Sequence, residues 1–161
     1  MESSERAPID VVDADIHDEA QVERLFGILD AYARGPGGQN APLGPDARKQ
    51  LGPLLRAHPM SFVLFGRLGG EIVGAAVCVW TLGTFSGRPG LNLHDFSVLP
   101  EAQGRGVGSA LLEEMQRRAK ARDASKLTLE VVGTNEAAQR LYARFGFAHT
   151  DPPTLFMTKR L

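Results

Sequence analysis

Apolar positions along the chain change their period from segment to segment, and each period predicts an element. Residues 8–13 (PIDVVD) read as a short strand. Val22, Leu25, Phe26 and Leu29 then recur at helical spacing behind Asp15 or Asp18, either of which can cap the helix, with acidic residues near its start to suit the helix dipole. That helix stops at RGPGGQNAPLGP, residues 34–45, where four glycines and three prolines sustain neither helix nor strand. A second helix is predicted from Asp46 to about Ala57. Residues 58–85 (HPMSFVLFGRLGGEIVGAAVCVWTLGTF) then read as two apolar strands joined by a hairpin at Gly69-Gly70.

In the second half, SGRPG at 86–90 makes a turn and LNLHDFSV at 91–98 a strand. Helix returns from about Gly106 to Arg122, with Val107, Leu111, Met115 and Ala119 as a core-facing stripe. KLTLEVV at 126–132 alternates as a strand, and NEAAQRLYARFGF at 135–147 is a short helix closed by Gly146. The tail TLFMTKRL at 154–161 reads as a last strand. The order β-α-α-β-β-β-α-β-α-β, without repeat or linker, implies an α/β fold of one domain over residues 1–161, a mixed sheet with helices on its faces.

Composition narrows the function. The 161 residues are 43% hydrophobic, enough for one substantial core, and the net charge of −1 gives no overall field favouring nucleic acid or an anionic membrane. A lone cysteine, Cys78, forms no internal disulfide and suits a reducing cytoplasm. The N-terminus lacks an apolar signal core and no run approaches the roughly 18 apolar residues of a spanning helix, so a soluble cytoplasmic protein is expected. The four histidines, at 17, 58, 94 and 149, have no metal-ligand spacing.

The chemistry concentrates in LHDFSVLPEAQGRGVGSALLEEM, residues 93–115, where Gly104, Gly106 and Gly108 lead a strand into a helix. Closely spaced glycines let backbone approach a ligand, and the free N–H groups of a first helical turn bind phosphate. Neither the phosphate loop of nucleotide hydrolases nor the dinucleotide fingerprint G-x-G-x-x-G fits this spacing. By spacing alone, the alternative is that the glycines serve tight strand-to-helix packing.

Gln103-x-x-Gly106-x-Gly108 after VLPEA resembles the acyl-CoA pyrophosphate motif of the GNAT superfamily of N-acetyltransferases. Further matches follow in order: VLPE at 98–101, LTLEV at 127–131, Asn135, and LYARFGF at 141–147, similar to the family's closing L-Y-x-x-x-G-F. Together they cover about residues 91–147, and the strand pair at 61–81 is compatible with the earlier part of the family. The resemblance implies the GNAT fold, a mostly antiparallel sheet whose strands at 91–98 and 126–132 splay to admit a pantetheine arm, and acetyl-CoA as cofactor. It implies that the amides of Gly104, Arg105, Gly106, Val107, Gly108 and Ser109, beside Gln103, hold the pyrophosphate. Main-chain groups of Phe96 and Val98 would pair with the pantetheine like an added strand. Arg105 either adds a phosphate contact or is a solvated side chain; Asn135 caps its helix, bonds the pantetheine, or both.

An amine must lose a proton before it attacks a thioester. His94 and Asp95 are the candidates near the transfer point, and strict alternation puts them on opposite strand faces unless a bulge re-aims one. His94 is the chosen general base; its bland alternatives are a structural histidine or a lining of the amine pocket. Asp95 either anchors a cationic substrate or pairs with a neighbouring backbone or arginine. The resemblance assigns the oxyanion donor to a backbone amide around Val98 and the general acid to Tyr142, which is otherwise a half-buried aromatic. LHDFSVLPEAQGRGVGS, preceded by TLGTFSGRPG, resembles the diamine acetyltransferase branch, with His94 in place of that branch's glutamate. The expected acceptor is a primary amine of a polyamine-like or amino-acid-like small molecule, and the exposed tail suits a homodimer. Protein or peptide amines, and a non-catalytic acyl-CoA-sensing domain, are the alternatives.

Overall fold

The structure, a computed structural model, describes residues 7–161. Strand β1 (Ile9–Asp13) leads to helices α1 (Glu19–Arg34) and α2 (Pro45–Arg56). Asp18, not Asp15, caps α1, its carboxylate accepting from the Ala20 amide at 2.9 Å. Strands β2 (Ser61–Leu68), β3 (Glu71–Gly83) and β4 (Arg88–Val98) form an antiparallel meander with β1 at its outer edge. The β2–β3 hairpin turns at Gly69 and Gly70, both with positive φ, as a two-residue turn requires. Helix α3 (Val107–Ala121), strand β5 (Lys126–Leu129), which runs parallel to β4, and helix α4 (Glu136–Arg144) complete the order.

Two cores flank the five-stranded sheet. Leu25 and Ile28 of α1 and Leu55 of α2 pack with Val63, Phe65, Ala75 and Val77 on one face. The α3 stripe Val107, Leu111, Met115 and Ala119, with Leu112, packs on the other against Leu64, Ala76, Cys78, Leu91, Leu93 and Tyr142. Ile28 of α1 is fully buried, whereas Leu29, one position on, lies at that core's margin.

Three expectations need correction. The 86–90 turn ends earlier, because Arg88, Pro89 and Gly90 already belong to β4; Pro89 lies one residue before the ladder to β5 begins at Gly90, so its missing N–H breaks no bond there. The strand predicted over 126–132 stops at Leu129. Its partner explains why: Val77 pairs with Asp95 but Cys78 with Leu93, so His94 is an extra, bulged residue, and the β4–β5 ladder ends at Leu93–Leu129 where the bulge begins. The tail at 154–161 forms no strand. It follows Pro152 and Pro153, which offer no amide for pairing, and Leu155, Phe156, Met157 and Leu161 are all exposed.

Arg118 on α3 ties the first strand to the α3 layer, forking onto Asp13 at 2.6 and 2.8 Å while its Nε donates to Glu114 at 2.8 Å. The Arg117 guanidinium, and after it Arg118, hold the Glu114 carboxyl down at about 2 against the opposing effect of burial. A carboxylate held below its unfolded value of 4.5 stabilises the fold above that pH and loses the contribution as pH falls towards 2. Melting temperatures followed from about pH 6 down to about pH 2 should therefore fall less steeply for Glu114→Gln than for the native chain, although the variant starts lower at neutral pH. Parallel curves would show that the Glu114 cluster contributes no acid sensitivity.

Candidate active site

Beyond Leu93 and Leu129 the sheet opens. The amide of Leu99 is spent on the Val73 carbonyl of β3 at 2.8 Å, so by strand alternation the backbone groups of Phe96 and Val98 face the gap left by β5. Gln103 closes one of them, its side-chain amide donating to the Val98 carbonyl at 3.0 Å, which leaves the Val98 N–H and the groups of Phe96.

A cavity of about 460 Å³ fills the opening. It is lined by Phe96, Val98, Gln103, Gly104, Gly106, Gly108, Ser109, Asn135 and Tyr142, all singled out by sequence, and also by Tyr32, Ser97, Glu130 and Arg144, which were not. Tyr32 stands on α1 and Arg144 on α4, the helices of opposite faces, so the cavity passes through the sheet. Arg105 and Val107 do not line it: Arg105 is exposed and Val107 is buried under the sheet. His94 and Asp95 do not line it either.

At one end lies the N-terminus of α3. Gly104 and Gly106 have φ of 72° and 98°, a region side chains rarely tolerate, and no side chain caps the helix. The amides from Gly104 to Ser109 donate to no acceptor among the described residues. Gly108 is small for a different reason, since a Cβ there would stand 3.3 Å from Leu141 and 3.4 Å from Phe96. Outward-facing amides, the dipole of a fifteen-residue helix and a glycine-lined approach fit a pyrophosphate. Asn135 caps α4, accepting from the Ala138 amide at 3.2 Å, while its Nδ2 is unpaired among the described residues.

Tyr142 sits midway. Its ring packs against Phe96 at 5.9 Å and Phe147 at 6.0 Å between centroids, and the residue is only 7% exposed. Burial, with the nearby Tyr32 adding to it, pushes its phenol up to about 12. The bulge decides the other candidates. Leu91 and Leu93 face α3 before it and Phe96 and Val98 after it, so Asp95 and Ser97 face α1. Strict alternation thus fails: His94 and Asp95 come together, His94 Nε2 standing 3.9 Å from the Asp95 carboxylate, both exposed.

A second groove of about 500 Å³ lies between Phe62, Trp80 and the end of α3. Its guanidiniums are already engaged, Arg118 with Asp13 and Glu114, Arg117 with Glu114, and Arg122 stacked 4.5 Å from the Trp80 ring. It offers neither unpaired amides nor an acid, so the chemistry belongs to the slot through the sheet.

Residues 25–147 match the family described as Acetyltransferase (GNAT) family. Among solved structures, the fold is similar to a ribosomal-protein-alanine N-acetyltransferase from Brucella melitensis biovar Abortus 2308, at 19% identity over 95% of this chain and 100% of that one, TM-score 0.78. It is also similar to an aminoglycoside acetyltransferase from an uncultured soil metagenomic sample in complex with sisomicin, at 15% identity over 95% and 96%, TM-score 0.75. A structure described as a probable acetyltransferase aligns at 20% identity over 94% and 98%, TM-score 0.80. The chain belongs to the GNAT family and is an N-acetyltransferase, a family whose enzymes generally use acetyl-CoA. No helix of the described residues is long and apolar enough to cross a membrane.

The Tyr142 environment gives a direct spectroscopic expectation. The unfolded chain ionises tyrosine near the ordinary value of 10, so keeping Tyr142 neutral stabilises the fold below that pH and ceases to do so as pH rises towards 12. Alkaline titration of tyrosinate absorbance should show a late component that Tyr142→Phe removes. A late component that survives the substitution would place the buried phenol elsewhere.

Proposed function

We propose that this chain, working as one domain, transfers an acetyl group from acetyl-CoA directly to a primary amine of a polyamine-like or amino-acid-like small molecule. The observation that carries the reading is the slot: unpaired amides at one end, a buried phenol in the middle, and an opening to the opposite face of the sheet. Bound acetyl-CoA would supply an acetyl group activated as a thioester. The Gly104–Ser109 amides hold the pyrophosphate, the free groups of Phe96 hold the pantetheine in the place of a missing strand, and Asn135 Nδ2 adds a donor. The Val98 N–H is the one backbone donor of that residue left to polarise a carbonyl. Tyr142 directs its O–H at the leaving sulfur.

His94, bulged out of the strand and open to water, takes the amine's proton through solvent. Its place on the strand matches that of the glutamate in the diamine acetyltransferase branch, and Asp95 beside it attracts a cation. The aminoglycoside acetyltransferase among the similar structures is compatible with a small-molecule acceptor. The exposed apolar residues of the 154–161 tail support association as a homodimer, and the buried, unpaired Cys78 suits a cytoplasmic location.

Two substitutions separate binding from chemistry. Gly106→Val should abolish CoA binding in calorimetry while the protein remains folded by circular dichroism, because a side chain at that φ distorts the amide cradle. Tyr142→Phe should lower kcat about 10²-fold or more with CoA affinity nearly unchanged. Unaltered CoA affinity in the first, or a loss confined to binding in the second, would refute the assignment.

The base has its own test. His94→Ala should lower kcat/KM by about 10²–10⁴-fold and remove the inflection that the enzyme base contributes to its pH profile, measured on one amine for both proteins. An unchanged profile would mean that another group or bulk water takes the proton.

A further inference from the structure

The groove at the far end of α3 has no part in the transfer, yet its chemistry is not that of ordinary surface. Phe62 pairs with Cys78 across β2 and β3, and Trp80 lies two residues beyond Cys78, so both rings stand on the α3 face of the sheet, 5.8 Å apart between centroids. Both are only half-buried. Apolar surface continues past them through Met60, whose carbonyl accepts the Trp80 amide at 2.8 Å, and through Leu82, two residues further along β3; these two are exposed. An apolar strip rimmed by charge is the make-up of an interaction site.

The charge at the rim has one sign. Arg117 and Arg118 share Glu114, and Arg118 also holds Asp13, so two carboxylates offset two guanidiniums, and neither carboxylate lines the groove. Arg122 is left over. Its guanidinium lies 4.5 Å from the Trp80 ring and makes no hydrogen bond or ion pair among the described residues, while the adjacent Asp123 is turned to Arg88 at 2.9 Å. Stacking occupies a face of the guanidinium and leaves its N–H edges free, and a side chain already held in place loses less entropy when it binds an anion.

We propose that this groove docks an acidic segment of a partner protein, with an apolar side chain seated against Phe62 and Ala121 and a flanking carboxylate on the free edge of Arg122. The sign of the segment follows from the one guanidinium that lacks a counter-charge. Its apolar group follows from Phe62, Met60 and Leu82, which a small anion would leave in water. Arg118 lies 5.4 Å from the Phe62 ring as Arg122 does over Trp80, so a guanidinium already covers each ring, which suits an aliphatic side chain better than a stacked planar one. Fifteen residues of α3, roughly 20 Å of helix, separate this groove from the amides at the slot, so docking is independent of the acetyltransferase reading.

Trp80 is the chain's only tryptophan, so its emission reports the groove directly. Three peptides, blocked at both ends, are titrated into the full chain: EELEE, EESEE and KKLKK in one-letter code. EELEE should change the emission saturably, binding at least about 10-fold more tightly than KKLKK and about 3–10-fold more tightly than EESEE. Arg122→Gln should weaken EELEE by about 3–10-fold with its circular dichroism and melting temperature near native, and Arg122→Lys, which keeps the charge, should lose less. Arg140→Gln, on α4 and outside the groove, should bind as the native chain does. The proposal is overturned if EELEE leaves the emission unchanged, if acidic and basic peptides bind alike, or if Arg122→Gln keeps native affinity. It is also overturned if glutarate, a small dicarboxylate, matches EELEE, which would make the groove a site for small anions.

Discussion

Everything at the site depends on one extra residue in β4. An antiparallel ladder keeps its register only while both strands advance in step, and His94 breaks the step by adding a residue opposite the Val77–Cys78 junction. Three consequences follow together. The side-chain faces of β4 exchange, so Phe96 and Val98 continue the α3-side surface begun by Leu91 and Leu93. The parallel pairing with β5 ends at once, leaving backbone groups of Phe96 and Val98 without a strand. Asp95 and Ser97, which unbroken alternation would have sent into the α3-side core, face α1. Burying an aspartate unpaired in that core would be costly, so the bulge also resolves a conflict within the sequence LHDFSV.

The opening is tolerated because its surroundings are tightly held. Unpaired backbone groups at the centre of a sheet would normally destabilise it by several kcal/mol in total. Here both cores run up to the slot, with Leu91, Leu93, Leu111, Leu112 and Met115 buried on one face and Leu25, Ile28, Phe65 and Ala75 on the other. The Asp13–Arg118–Glu114 cluster fastens α3 to the far edge of the sheet, well away from the opening. At the other end of the helix, Val107 is buried against Gly66 and Gly74, which seats the N-terminus of α3 on the sheet while its amides stay free. Position 106, with φ of 98°, is one side chains rarely tolerate, so no capping side chain stands there and the donors a pyrophosphate needs stay unoccupied.

How much of this was legible in the sequence depends on the range of each signal. Helical stripes, the Gly69-Gly70 turn and the glycine-rich approach to α3 are local patterns, and they specified four helices and five strands, while the nine cavity-lining residues named in advance came from the resemblance to the GNAT motifs. Tyr32 and Glu130 carry no local signal, because they come to one cavity only when α1 and the segment after β5 take their places about the sheet. Ser97 carries only half of one: its strand was visible, but its face depends on a bulge that no residue in LHDFSV announces. A bulge re-aims His94 or Asp95, and the residues alone do not decide whether it occurs. The tail failed for the converse reason. TLFMTKRL has a strand's composition, but a strand needs a neighbour, and local pattern does not supply one.

In the proposed reaction, the same burial that keeps the Tyr142 phenol protonated also limits how it acts. A phenol pushed up to about 12 stays protonated at every physiological pH, so its O–H is always available. Giving that proton up completely is another matter, because burial raises the phenol above an ordinary thiol and makes the transfer uphill. Such a group serves best as a hydrogen-bond donor whose bond strengthens as charge develops on the leaving sulfur. It yields its proton fully only if another is delivered to it, and Tyr32, whose own hydroxyl proton is committed to the Gly37 carbonyl at 2.6 Å, is poorly arranged to deliver one. In the proposed reaction, burial therefore suits Tyr142 to stabilise the leaving sulfur more than to protonate it outright.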